Sequence, residues 1–261
     1  MRSRCERPER HCATLTYFGE GPGVRLTARG PGGTPGRMHA RAQGKDEADT
    51  RPLLVLASAS PRRRELLARA GIAFETLRPE VAERRARDEA PEAFARRLAL
   101  DKARDVAGRL GPARTGWVLG SDTIVVRDED VLGKPADADD AVRMLASLVG
   151  RSHEVLTAVA LVPIGHASPP AAGHGPSEPP AQAEVFAVRS RVAMRPASTD
   201  ELRAYAATGE PLDKAGAYAL QGAGRRFVTH VEGSESNVIG LPLERTLSCL
   251  ERLGGFRAGR H

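Results

Sequence analysis

Leu53-Leu54-Val55-Leu56-Ala57-Ser58-Ala59-Ser60-Pro61-Arg62-Arg63-Arg64-Glu65-Leu66-Leu67 (53–67) passes from strand to helix within fifteen residues. The apolar run 53–57 reads as a strand buried on both faces. Ser60 stands where an N-cap is expected, Pro61 suits the first helical position, and Gly71 supplies the stop. A buried strand feeding directly into a helix is the repeating unit of an α/β fold.

The alternation continues outward from that unit. Residues 72–77 alternate like a strand. Residues 91–110 are helical, with Phe94, Leu98, Leu100, Ala103, Val106 and Leu110 along one face. A second buried strand spans 117–126 and is expected to break in its middle, at Gly120-Ser121-Asp122-Thr123. Then follow a helix over 137–148, two apolar strands over 155–162 and 185–192, and a helix opened by Ser198-Thr199-Asp200-Glu201. A strand over 227–231 and a helix over 241–253 close the chain. The two strands around 163–183 predict a hairpin with an overlong tip, because that stretch holds six prolines and three glycines. The expectation is a mixed twisted sheet with flanking helices, built from residues 51–261. Residues 1–50 read differently, with eight glycines and no apolar periodicity, and predict a disordered extension or sequence upstream of the true start, for which Met38 is one candidate.

Composition excludes several classes. Only 4% of residues are aromatic, which argues against a base-stacking single-strand-binding surface. The net charge is +6, and half of it lies in 1–50, where nine Lys and Arg face six Asp and Glu. Nucleic acid is therefore not the expected partner. Three cysteines make no disulfide framework, and Cys5, His11 and Cys12 lack a fourth metal ligand. No apolar run has the length of a membrane span, so no membrane partner is expected and the cytoplasm is the expected compartment.

Four features carry chemistry. Arg62, Arg63 and Arg64 occupy a first helical turn, where the helix dipole disfavours cations by about 0.3–1 kcal/mol each. With free backbone N–H groups they form an anion site, or else three solvated arginines; the residues alone divide these evenly. Asp122 is an acid inside an apolar strand, where it needs a partner or a metal. Lys134 sits in a Leu132-Gly133-Lys134-Pro135 turn. The Gly-rich stretch 213–222 suits close approach of backbone to a ligand, or an ordinary loop. No Walker-type phosphate loop, dinucleotide fingerprint, nucleophile elbow or His/Cys metal pair is present; His153 and His230 are isolated and read as structural. Arg, Lys and carboxylates remain, the residues of metal-assisted chemistry at phosphate.

Seven motifs in order resemble the Maf-like nucleotide pyrophosphatases, related in fold to inosine triphosphatases. They are LASASPRRRELL (56–67), RPEVAE (78–83), LALDKA (98–103), GSDTIV (120–125), LGKP (132–135), GEPLDKAGAYALQG (209–222) and EGSESNVIGLPL (232–243). The resemblance implies two lobes around a cleft and hydrolysis of a nucleoside triphosphate to its monophosphate and pyrophosphate. It places the proton acceptor at Asp122 and phosphate contacts at Ser58, Arg62, Arg63, Lys102 and Lys134. Glu83 and Asp122 would hold Mg²⁺ or Mn²⁺. Arg62, Thr123 and Gln221 match the branch that takes dTTP and UTP rather than 7-methyl-GTP. Thr123 is further expected to hold the rotamer of Gln221 against the base. A homodimer is left open. The rival expectation is a non-enzymatic nucleic-acid-associated or cell-division regulatory protein, since the family is also linked to septum formation.

Overall fold

The computed structural model describes the backbone of residues 15–17 and, with side chains, residues 52–165, 182–254 and 256. Eight strands form one sheet: β1 (Leu15–Tyr17), β2 (Leu53–Ala57), β3 (Phe74–Thr76), β4 (Gly116–Arg127), β5 (Asp130–Leu132), β6 (Ser152–Ile164), β7 (Glu184–Met194) and β8 (Val228–Glu232). Their order is β1-β3-β2-β4-β6-β7-β8, with β5 paired to β4. β2 runs parallel to β3 and β4, and the remaining pairs are antiparallel, so the sheet is mixed as expected. Among the described residues six α-helices flank it: α1 (Pro61–Arg69), α2 (Pro91–Leu110), α3 (Ala138–Leu148), α4 (Thr199–Ala206), α5 (Glu235–Ile239) and α6 (Leu243–Gly254).

Of the expected extension, Leu15–Tyr17 lies antiparallel to Phe74–Thr76. The rest of 1–50 lies outside the described residues, as do Cys5, His11, Cys12 and the Pro-rich tip over 166–181. The hairpin that carries the tip is present, paired from Ser152↔Ala193 to Leu161↔Glu184.

Strand alternation sorts β4 into two faces. Val118, Ile124 and Val126 join Val55 and Ala57 under α2, against Phe94, Ala95, Leu98, Ala99, Ala103 and Val106. On the other face Trp117 and Leu119 pack with Leu66, Leu67 and Leu250 of α1 and α6. Farther along that face Val125, Val155 and Val192 pack with α3 and α4. Between these two clusters the same face carries Ser121, Thr123, Thr157 and Ser190, a polar belt across the sheet.

The expected break in the second strand does not occur. β4 is continuous, paired to β6 from Gly116 to Val126. What breaks is its other edge: β2 leaves at Gly120 and β5 joins only at Val125, so Ser121–Ile124 have no neighbour there. That gap opens at the carboxyl end of β2, where ligands bind in open α/β sheets. Gly120 has a packing reason. A Cβ there would lie 2.1 Å from the Ala99 carbonyl oxygen of α2, so the helix rests directly on the strand. Gly120→Ala should therefore destabilise the fold by at least the ~1–3 kcal/mol of an overpacked core, because backbone cannot swing aside. Urea unfolding with an unshifted midpoint would show that α2 does not press on this strand.

Candidate active site

The gap in β4 opens into a cavity of about 530 Å³. All nine candidate residues line it: Ser58, Arg62, Arg63, Glu83, Lys102, Asp122, Thr123, Lys134 and Gln221. They come from the turn after β2, the start of α1, the loop after β3, the middle of α2, the gap in β4, the turn after β5 and the loop before β8.

Asp122 and Thr123 point to opposite faces of the sheet, and each face has its own arrangement. On the α2 face, Lys102 Nζ lies 2.6 Å from Asp122 Oδ1 and 2.6 Å from Glu83 Oε1. Lys102 and Asp122 are buried, while Glu83 remains about half exposed. Burial alone would raise the Glu83 carboxyl, but the Lys102 ammonium, helped by Lys134 and Arg63, holds it below the usual carboxylate range. The resemblance gives Lys102 a phosphate contact; among the described residues its ammonium lies between the two carboxylates and holds them together.

On the opposite face, Arg63 is tied down along its length. Its Nε donates to the Gly240 carbonyl at 2.8 Å, Nη1 to Ser58 Oγ at 3.3 Å and Nη2 to Thr123 Oγ1 at 3.0 Å. Burial pulls the guanidinium down from its ordinary value, and Asp122 and Glu83 push it back up. Thr123 Oγ1 also lies 3.0 Å from Thr157 Oγ1, and Thr157 donates its one hydroxyl proton to the Asn237 carbonyl at 2.8 Å. A hydroxyl has a single donor. Thr123 must therefore donate to Thr157 and accept from Arg63, which gives the chain one direction: Arg63 to Thr123 to Thr157 to Asn237.

Two expectations change here. Thr123 makes no hydrogen bond to Gln221; its hydroxyl accepts from Arg63 and donates to Thr157, so toward a ligand it can only accept. Ser60 occupies the N-cap position of α1, but its side chain makes no cap bond. Its backbone N–H donates to Ser58 Oγ at 3.1 Å. Ser58 thus accepts twice and keeps its own proton for the cavity. The three arginines of the turn also separate: Arg63 is bonded into the floor, Arg64 reaches the Ala59 carbonyl from the surface, and Arg62 makes no hydrogen bond to a described residue.

Four contributors were missed from sequence. Thr157 and Asn237 end the relay, and Asn237 is fully buried, its amide donating to the Val155 carbonyl and to Ser190 Oγ. The Gly240 carbonyl receives both Arg63 and Ser121 Oγ. Tyr218 forms part of the wall and is held from behind by His153, Nε2 to hydroxyl 2.7 Å. For three of them the signal was present: EGSESNVIGLPL holds Asn237 and Gly240 and GEPLDKAGAYALQG holds Tyr218, but strand and helix periodicity assigns such segments no role, and Thr157 is one residue of an apolar strand.

The described residues contain no group of three or more His, Cys, Asp or Glu able to hold a metal. The Asp122–Glu83 pair nevertheless fits a hard divalent cation, since both carboxylates already converge on one positive charge. Mg²⁺ characteristically uses one or two carboxylates and completes its shell with phosphate oxygens and water. Among the described residues no helix is long and apolar enough to cross a membrane.

The family model described as "Maf-like protein" matches residues 53–253. A "dTTP/UTP pyrophosphatase" of Xanthomonas campestris is 48% identical over 203 residues, 77% of this chain and 99% of that protein. The protein of the same name from Myxococcus xanthus is 49% identical over 202 residues, 77% of this chain and 93% of its own length. That from Vibrio cholerae is 45% identical over 199 residues, 76% and 97% respectively.

Burial pushes the His153 imidazole down to about 4 from its ordinary 6.5. The folded chain then takes up this proton less readily than the unfolded one, so stability falls as pH drops from 6.5 toward 4. The full loss is about 3 kcal/mol at 1.36 kcal/mol per pH unit. In His153→Gln the fall in unfolding free energy between pH 7.5 and 4.5 should be smaller by about 2 kcal/mol. Parallel pH profiles for the two proteins would mean that His153 titrates normally.

Proposed function

The chain belongs to the Maf-like protein family, and from that premise we propose that it hydrolyses dTTP and UTP to the monophosphate and pyrophosphate. The observation that carries this is the Glu83–Lys102–Asp122 cluster, facing a cavity whose other walls hold Ser58, Arg62, Arg63 and Lys134. A water molecule attacks the α-phosphorus, the α–β bridging bond breaks, and pyrophosphate leaves. Asp122 accepts the proton of the attacking water. Lys102 keeps Asp122 in place opposite the α-phosphate. Arg63, Ser58 and Lys134 meet the charge that develops on the phosphates, and Arg63 arrives pre-oriented by three acceptors, so little reorganisation is needed. A divalent cation held by Glu83 and Asp122 would add charge neutralisation at the phosphates.

Base selection rests on Gln221 and Arg62. The Gln221 side-chain amide makes no hydrogen bond to a described residue, and both side chains line the cavity and a shallower depression beside it. An amide N–H toward O4 and an amide oxygen toward N3–H match thymine and uracil, whereas cytosine reverses the pattern. The names of the relatives support the same substrates. The rival reading, a nucleic-acid-associated regulator, gains no support from the cleft, where Lys102 is engaged by two carboxylates and Arg63 by the Gly240 carbonyl and two hydroxyls.

Asp122→Asn should keep fold and nucleotide binding and lose about two or more orders of magnitude in kcat, the usual cost of removing a positioned acid–base group. Near-wild-type turnover measured by pyrophosphate release would remove Asp122 from the chemistry. Substrate choice is tested separately with dTTP, UTP, CTP and GTP in Mg²⁺ or Mn²⁺. The first two should exceed CTP in kcat/KM by about tenfold, the worth of one mispaired polar contact, and Gln221→Glu should narrow the gap. Equal rates on all four nucleotides would refute the substrate assignment but leave the pyrophosphatase reading standing.

A further inference from the structure

We infer that Glu210, which lies outside the main cavity, is the positioning residue that fixes the Gln221 loop and so sets discrimination between bases. The inference rests on the pyrimidine-triphosphate reading above and adds a residue to it.

Glu210 begins the 3₁₀ turn Glu210–Asp213 after α4. Its carboxylate accepts three hydrogen bonds, all from groups that shape one loop. Oε1 receives the Tyr205 hydroxyl at 2.8 Å and the Gly224 N–H at 3.1 Å, and Oε2 receives the Ala223 N–H at 3.0 Å. The Tyr205 hydroxyl in turn lies 3.4 Å from the Ala219 N–H. One buried tyrosine and one carboxylate therefore grip the chain on both sides of Gln221, at 219 upstream and at 223 and 224 downstream. The loop is shaped to admit them. Gly222 has φ 119°, and a Cβ there would lie 2.7 Å from Glu210 Oε2. A Cβ on Gly224 would lie 2.5 Å from the Tyr205 hydroxyl. Burial would raise the Glu210 carboxyl, yet the three donors hold it below its ordinary value.

Against this grip, the Gln221 amide is without a protein partner among the described residues. Its backbone is fixed and its recognition group is open, the arrangement of a residue preorganised for a ligand. An amide can flip, so it discriminates only if its Cα is held at one depth and one angle. Thr123, expected to supply that constraint, commits its hydroxyl to Arg63 and Thr157 and makes no hydrogen bond to Gln221. Glu210 and Tyr205 supply it through the backbone.

The test compares kcat/KM for dTTP and CTP in wild type, Glu210→Gln, Glu210→Ala, Tyr205→Phe and Gln221→Ala, with amide hydrogen exchange at Ala223 and Gly224. In Glu210→Ala both amides should exchange faster. The dTTP:CTP ratio should fall about fivefold or more, toward that of Gln221→Ala, chiefly through KM for dTTP and with kcat within about threefold. Glu210→Gln, which keeps the shape but loses one acceptor, should fall between. If Glu210→Ala fails to fold, Tyr205→Phe decides, since it removes only the hydroxyl; an unchanged ratio there overturns the inference. A ratio that stays at wild type in the Glu210 variants while Gln221→Ala erases it also overturns the inference and leaves the substrate reading intact. A wild type that does not distinguish dTTP from CTP overturns both.

Discussion

An ammonium buried between two carboxylates organises this molecule. Lys102 lies on the face of α2 that packs on the sheet, and a charge there must be paired or it destabilises the fold by several kcal/mol. Its partner is Asp122, two residues beyond the glycine on which α2 rests. The close approach at Gly120 and the ion pair at Asp122 are thus two consequences of one helix-on-strand contact. Helix position, strand register and the direction of the acid cannot vary independently. Glu83, on a loop without regular structure, is drawn to the same charge from outside.

The second face of β4 is organised by a different requirement. Two apolar clusters leave a polar belt between them, and buried polar groups need partners. The segment 234–240 provides them: Ser234 caps α5, Asn237 reaches the Val155 carbonyl and Ser190, and the Gly240 carbonyl accepts Arg63 and Ser121. Arg63 is the point at which this belt reaches the cavity. A cation at a helix N-terminus is locally unfavourable, and acceptors brought from distant segments offset that cost. The fold therefore holds its acid and its best-oriented cation on opposite sides of one strand, and only the missing edge neighbour at 121–124 lets both face one ligand.

In the proposed reading, recognition is built separately from chemistry. The loop carrying Gln221 belongs to the α4 end of the sheet: Ala219, Ala223 and Gly224 bond Tyr205 and Glu210, Tyr218 bonds His153, and no hydrogen bond among the described residues runs from it to Asp122 or Lys102. One link to the Asp122 side is the Gly216 N–H to the Gly133 carbonyl, which ties the loop to the turn bearing Lys134. Such a division lets the loop vary in shape without disturbing the ion cluster.

Much of the fold was legible in the sequence, because local rules decide it. The β2–α1 unit needed only a run of apolar residues and a Ser-Pro start, and α2 was legible to its ends at Pro91 and Leu110. Asp122 could be singled out because an acid in an apolar strand breaks a pattern. Lys102 breaks a pattern too, in line with Leu98, Ala99 and Val106 on the buried stripe of α2, but a lysine on a helix reads as solvated until its partner is known. What tertiary structure alone decided is pairing. No periodicity shows that β2 and β5 leave a gap at 121–124, that Thr123 serves Arg63 and not Gln221, or that Glu210 grips residues 223 and 224. The bonds of Glu210 and Thr123 join groups 13 to 60 residues apart in the chain, and that of Arg63 to the Gly240 carbonyl spans 177. A hydroxyl, a carbonyl or a carboxylate carries no record in its own neighbourhood of which distant group will satisfy it, and that choice is made only when the sheet and its helices bring the candidates together.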